Sequence, residues 1–417
     1  MDLKRRLGEL GSPHARSSAH GAAASSASRE RSEVLAELRE KMAALMAQAP
    51  PVPRPPSDPS AGLLPFVAES LPRGQLYRRS VTLASSHHVG RMPVDAARSA
   101  QAELISLLSL DAGLARCDLG RALFLDTETS GLGAGAGVLA FLVGLAWFDA
   151  DGRMQLEQLL LRRPSDEPAL IERVAERLEA CDVIVTFNGK SFDLPLLGTR
   201  AVMNRLPALP ARPHLDLLHV ARRLHRPRLQ SFRLSALESE VLGFVRGPDI
   251  EGGEVPARYA HFLRTGDEEA LLAVVEHNAW DVVSMAALLG LYGEPMGLLA
   301  ADDLVGLART LKRARALDRA AEVANVAIER GAGSHALKVR GAIAKARGDR
   351  ALALADFEAS LEDIDEPDVR LELAKLYEHY VKEPLRALSL VEQGTGEPEP
   401  ALAKRKSRLE AKLRAKS

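Results

Sequence analysis

From Ala122 onward, short apolar runs that suit buried strands alternate with amphipathic helical segments, and this order restricts the fold more than any other feature of the chain. "ALFLD" (122–126) reads as a buried strand. "VLAFLVGLAWFDADGRMQLEQLLL" (138–161) reads as two strands joined at Asp151-Gly152, an antiparallel hairpin. "EPALIERVAERLEAC" (167–181) is an amphipathic helix, "DVIVTF" (182–187) another strand, and a further helix begins near "FDLPLLGTRAVM" (192–203). A basic, loopy region follows, then "GDEEALLAVVEHNAWDVVSMAALLGLY" (266–292), one long helix or two consecutive ones. A hairpin that feeds alternating strands and helices predicts an α/β fold, a mixed sheet flanked by helices.

Outside that core the text changes character. Residues 1–27 are rich in Ser, Ala, Gly and His and read as disordered. Leu35, Leu38, Met42 and Leu45 form the seam of a short amphipathic helix over about 29–48, and Ala49–Ser60 is a proline-rich linker. Residues 61–120 are harder to read, with a strand in "YRRSVTLASSHHVG" and a helix in "VDAARSAQAELISLLSL". His87 and His88 would point to opposite faces of such a strand and share no metal readily. Past about Gly297 strand signals vanish. Leu317–Glu329 resembles Gly348–Glu362, which in turn resembles Lys382–Glu392, a period of 31 to 34 residues that fits tetratricopeptide-like helical repeats. The basic tail "ALAKRKSRLEAKLRAKS" reads as a fraying helix with a solvated charged face. The expected domains are therefore 1–60, 61–295 with its motif core at 120–292, and 296–417.

Bulk properties remove several function classes. A net charge of −1 gives no global pull on nucleic acid or anionic lipid, so such binding needs a local patch. Two cysteines, Cys117 and Cys181, support neither a disulfide framework nor a zinc finger and suit a reducing, cytoplasmic setting. The charged start is not a secretory signal, and Val138–Phe148 is too short to span a bilayer, so no membrane role is expected.

The chemistry lies in three places. Asp126 and Glu128 alternate on a strand, so both carboxylates face one spot. Two converging anions repel unless a cation lies between them, and hard oxygen ligands with no nearby Cys or His suit Mg²⁺ or Mn²⁺. "NGKSFD" presents Asp193 where a strand passes into a helix, although a helix N-cap reads the same way. His277 and Asp281 are four residues apart on a predicted helix, an arrangement that suits a metal ligand and a water-orienting base. Lys190 is not a phosphate-loop lysine, because the motif needs glycine where Ile184 stands. The glycines of "GLGAGAG" (131–137) lead into a strand rather than a helix, so they read as the rim of the acid site, not as a phosphate cradle.

"FLDTETSGL", "TFNGKSFDLPLL" and "HNAWD" together resemble the three ordered motifs of the DEDD exonuclease superfamily, whose fold is RNase H-like. The phrase holding Asn188, Phe192 and Asp193 is similar to the exonuclease domains of B-family polymerases. "HLDLLHVARRL", "RLSALE" and "VEHNAWDVVSMAALL" resemble the YprB-type RNase H-like proteins of bacteria. The resemblance covers about residues 75–292 and implies that Asp126, Glu128, Asp193 and Asp281 bind two Mg²⁺ or Mn²⁺ ions. It further implies a 3′→5′ exonuclease acting on single-stranded DNA or RNA. His277 stands at the spacing of the tyrosine-type branch, and imidazole orients or deprotonates water. Thr129, Asn188 and Phe192 are the substrate-contact candidates. Arg222, Arg223, Arg226, Arg228 and Arg233 are candidates for the phosphate backbone, against the alternative of a solvated arginine-rich loop. His214 and Asp216 read as supports for the site or, for Asp216, as a helix cap. An endonuclease with the same acids, or a binding scaffold without turnover, is the alternative, and the repeats would recruit a protein partner.

Overall fold

The computed structural model describes residues 63–415 apart from 132–136, 248 and 295. The helix expected at 29–48, the proline-rich linker and most of the glycine stretch lie outside the described residues. One sheet of seven strands has the order β1-β2-β7-β6-β5-β8-β9. Its strands are β1 (Val67–Leu71), β2 (Gly74–Leu83), β5 (Ala122–Thr129), β6 (Ala140–Phe148), β7 (Met154–Leu160), β8 (Val183–Thr186) and β9 (His214–Asp216); β3 (His88–Val89) and β4 (Met92–Pro93) pair separately. The expected hairpin is β6–β7, turning through Gly152 in a left-handed conformation. β5, β8 and β9 are mutually parallel and the remaining neighbours antiparallel, so the sheet is mixed as expected.

Helices cover both faces. α1 (Ala102–Ser109) follows a 3₁₀ turn at Val94–Ser99, where the sequence suggested one continuous helix. α2 (Glu167–Ala180) and α3 (Asp193–Met203) pack through Leu170, Val174, Leu178, Leu196 and Leu197 against Leu123 and Leu125 of β5. The region after residue 204, expected to be loopy, instead carries β9, α4 (Leu217–His225), α5 (Leu234–Leu237) and α6 (Val255–Thr265). Its arginines mask a clean apolar stripe, since Leu217, Val220, Ala221 and Leu224 are all buried. α7 (Glu269–Gly293) is one helix, and every residue from Val282 to Gly293 is buried. By length and composition alone it could cross a membrane; burial within the fold accounts for the same all-round apolarity.

Seven further helices follow: α8 (Ala301–Arg313), α9 (Leu317–Glu329), α10 (Gly333–Arg347), α11 (Arg350–Asp363), α12 (Pro367–Leu376), α13 (Pro384–Glu392) and α14 (Glu399–Arg414). The three mutually similar segments are α9, α11 and α13, alternate helices of this array. The apolar core continues from the sheet into it, with Leu215 and Leu288 in the same cluster as Leu304, Leu311 and Ile343. A buried polar knot crosses the junction. His225 Nδ1 stands 3.0 Å from Asp303, Arg228 reaches the same carboxylate at 3.0 Å, and His225 Nε2 lies 3.0 Å from the Tyr292 hydroxyl. The basic tail does not behave as a loose charged face. Leu409 is buried, and Arg405, Arg408 and Lys412 converge on the buried carboxylate of Glu378.

Two predictions follow from these contacts. Gly306 of α8 lies so close to α4 that a Cβ would come 2.0 Å from the Leu224 carbonyl oxygen. Gly306→Ala should therefore destabilise by about 1–3 kcal/mol despite alanine's better helix propensity; a higher melting temperature would contradict this contact. The Arg408 hydrogen bond, with Lys412 and the neighbouring charges, holds the Glu378 carboxyl down at about 2. A depressed folded-state value means stability that is present above the unfolded value and lost as pH falls from about 4.5 toward 2. Wild type should thus lose more melting temperature between pH 5 and about 3 than Glu378→Gln does; equal losses would count against the clamp.

Candidate active site

Asp126 and Glu128 lie on the face of β5 that α7 covers, while Thr127 points to the opposite face. Asp126 pairs with Gly144 of β6, Gly144 with Gln158 of β7, and Gln158 with Arg79 of β2, one row across four strands. Gly144 leaves the gap into which Asn278 of α7 descends, since a Cβ there would stand 2.4 Å from Asn278 Oδ1. Asn278 Nδ2 donates to Asp126 Oδ2 at 2.9 Å, and its Oδ1 accepts from Gln158 Nε2 at 2.9 Å. Gln158 Oε1 in turn accepts from Arg79 at 2.6 Å. Because Asn278 and Gln158 are fully buried, their amides can face only one way, and they fix the Asp126 carboxylate from below.

Asp193 begins α3 and is buried beside the end of β5, where its Oδ1 accepts from the Thr127 hydroxyl. The turn ahead of it is built by Asp216. That carboxylate accepts from the Asn188 N–H at 2.8 Å and the Lys190 N–H at 3.2 Å, and also caps α4 at the Leu218 N–H. Asp216 is thus both a cap and a support of the site loop. Asn188 takes a left-handed conformation, which asparagine tolerates, and Gly189 lies where a Cβ would meet the Thr186 side chain at 2.6 Å. His214 Nε2 meets the Thr186 hydroxyl at 2.8 Å and supports the same turn.

α7 supplies the third side. His277 Nε2 lies 4.0 Å from Glu128 and 3.6 Å from Asp281 Oδ2, as the one-turn spacing required. Its Nδ1 lies 2.7 Å from Asp249 Oδ1. Arg246 enters the cluster from the loop after α5, donating to Asp281 and, through two bonds of 2.6 Å, to Glu238.

The electrostatics follow from this crowding. Burial raises the Asp126 carboxyl well above its ordinary range, reinforced by Asp281, Asp193 and Glu128, and the Asn278 bond offsets only part of this. Burial lifts Glu128 to about 7, with His277 opposing and Asp281, Asp193 and Asp249 adding. Burial lifts Asp193 to about 6 against the Thr127 hydrogen bonds. His277 is raised because Asp281, Asp249 and Glu128 outweigh its desolvation. These carboxylates cannot all ionise near neutral pH without added positive charge, and four hard oxygen donors fit Mg²⁺ or Mn²⁺. Among the described residues no three His, Cys, Asp or Glu side chains stand as a finished ligand set. Asp126, Asp193 and Asp281 are instead each held by a protein donor, Asn278, Thr127 and Arg246 respectively.

The other candidates divide. Phe192 is 53% exposed beside Asp193, while the Thr129 hydroxyl is bonded to the Gly131 carbonyl. Arg222, Arg226 and Arg233 are exposed, whereas Arg223 donates to the Leu108 carbonyl at 3.1 Å and Arg228 is bound to Asp303. Internal partners therefore account for two of the five arginines. Sequence reasoning missed Thr127, Asn278, Gln158, Glu238, Arg246 and Asp249. Only the glycine within an otherwise apolar β6 signalled the Asn278 pocket. Asn278→Ala strips Asp126 of its side-chain donor and leaves one Gln158 N–H unpaired, the other staying on the Val275 carbonyl, so it should cost about 2–3 kcal/mol in urea unfolding. A loss under about 0.5 kcal/mol would contradict this wiring.

Residues 123–292 match the family model described as the RNase_H superfamily. Over 167 residues the chain is 41% identical to "Uncharacterized protein YprB" of Bacillus subtilis (strain 168), which covers 40% of this chain and 40% of that protein. The chain thus spans well under half the length of this curated relative. It is also similar to the structure of the family B DNA polymerase from the hyperthermophilic archaeon Pyrobaculum calidifontis. There the identity is 18% and the TM-score 0.32, over 54% of this chain and 29% of the polymerase. The mixed sheet, its flanking helices and the family match identify residues 123–292 as an RNase H-like domain.

Proposed function

We propose that this domain is a metal-dependent nuclease of DEDD type, most simply a 3′→5′ exonuclease on single-stranded DNA or RNA. The observation that carries the reading is the convergence of Asp126, Glu128, Asp193 and Asp281, with protons held above the ordinary range on the first three. Bound Mg²⁺ or Mn²⁺, two ions in the DEDD pattern, would supply an activated water and neutralise the leaving oxygen. Asp126, Glu128, Asp193 and Asp281 would hold the metal, with Asp126 oriented by Asn278 and Asp193 by Thr127. With Nδ1 engaged by Asp249, His277 presents Nε2 toward Glu128 and Asp281, where it would orient the attacking water and accept its proton. Exposed Phe192 offers a stacking face for a terminal base, and the Asn188 turn beside it would bound the same nucleotide. Thr129 would line the rim. Arg222 and Arg226 keep free guanidinium surface for a phosphate path, and Arg223 and Arg228 would act on it only through the fold. The α8–α14 array would serve as a tetratricopeptide-like platform for a protein partner, in a cytoplasmic protein.

The test is degradation of end-labelled and circular DNA and RNA in Mn²⁺. End-labelled substrate should shorten from its 3′ end while circles survive; cut circles would replace exonuclease with endonuclease action. Asp126→Ala and Asp281→Ala should each lose at least about 100-fold in rate. His277→Ala should lose roughly 10²- to 10⁴-fold, the range of general acid–base catalysis. Acid variants that degrade substrate as fast as wild type would refute the assignment.

A further inference from the structure

Arg246 is the charged group in the cluster that the proposed chemistry does not use. Its side chain is only 6% exposed, and it enters from a loop rather than from any of the three motif elements. Its Nε and Nη2 donate to the two oxygens of Glu238 at 2.6 Å each, a forked pair with a carboxylate that is 1% exposed. That fork fixes the plane of the guanidinium. From this fixed position Nη2 also donates to Asp281 Oδ1, and Nη1 lies 3.3 Å from Asp249 Oδ2 and 3.3 Å from His277 Nδ1.

The consequence concerns Asp281. One of its oxygens is taken by a cation that cannot swing away without leaving Glu238 buried and unpaired. Its remaining oxygen, Oδ2, faces His277 Nε2 at 3.6 Å. A divalent ion on the Asp281 side would have to share that single oxygen and approach a fixed guanidinium of like charge. On the other side, Asp126, Glu128 and Asp193 have no arginine or lysine ion partner among the described residues. Their partners are neutral donors, the Asn278 amide for Asp126 and the Thr127 hydroxyl with nearby backbone N–H groups for Asp193, and His277 lies 4.0 Å from Glu128. The cluster is therefore asymmetric: one half already carries a protein cation, the other requires one.

Resting on the nuclease reading above, we propose that Arg246 is a built-in cation that replaces one of the two expected ions. The chain then takes a single tightly held divalent ion, bound by Asp126, Glu128 and Asp193, with the Arg246–Asp281 pair supplying the second positive charge. Glu238 is the positioning residue that holds Arg246 in that role.

Mn²⁺ stoichiometry tests this on the full chain, by titration calorimetry and by electron paramagnetic resonance, whose spectrum distinguishes an isolated Mn²⁺ from a spin-coupled pair. Wild type should bind one ion per chain with an uncoupled signal. Arg246→Met should bind two, with a coupled signal. Because that variant strands Glu238, the double variant Glu238→Gln/Arg246→Met, which carries neither charge, should also bind two. A wild type that binds a coupled pair overturns the inference and leaves the nuclease reading standing. Variants that stay at one ion overturn it as well. A wild type that binds no Mn²⁺ overturns the inference and the nuclease reading together.

Discussion

Several carboxylates brought into one half-buried space repel each other, and the surrounding structure is arranged to tolerate that repulsion. The sheet contributes Asp126 and Glu128 from one strand, and the parallel crossover delivers Asp193 at the start of a helix. α7 lays Asp281 against both. Three of the four are then tied to a specific donor: Asp126 to the Asn278 amide, Asp193 to the Thr127 hydroxyl, Asp281 to Arg246. Those ties hold the acids close without bringing them into full contact. Burial, with the neighbouring acids, raises the carboxyls of Asp126, Glu128 and Asp193 above their ordinary range.

The acids themselves were legible because they follow local rules. Alternation along a strand placed Asp126 with Glu128, and the one-turn spacing placed His277 with Asp281. The groups that orient them obey no local rule. Asn278 acts only because Gly144, on a strand far away in sequence, leaves it room, and Gln158 reaches it from a third strand. Arg246, Glu238 and Asp249 come from a stretch whose text suggested only a basic loop. The same holds for the arginine-rich run: the partners of Arg228 and Arg223, Asp303 and the Leu108 carbonyl, are distant in sequence and invisible as a pattern. The fold class agreed with expectation because a hairpin followed by alternating strands and helices admits few sheets, whereas the three-residue β9 was too short to announce itself.

The helical array is bound into the same compact unit as the sheet. The His225–Asp303–Arg228 knot and the close approach of Gly306 to α4 set the start of α8 against the RNase H-like domain. β9 leads directly into α4, and Asp216 at that junction also builds the Asn188–Lys190 turn. The array therefore packs on a helix whose cap shapes the loop ahead of Asp193. The far end of the array is closed by α14, whose three basic side chains converge on Glu378.

The carboxylates of Asp126, Glu128 and Asp193 would together form a divalent-ion site. Anomalous diffraction from crystals soaked in Mn²⁺ tests it most directly. The account predicts a peak bounded by those three side chains, with Arg246 still paired to Glu238. No peak there, or one held by other residues while these three stay apart, would contradict it.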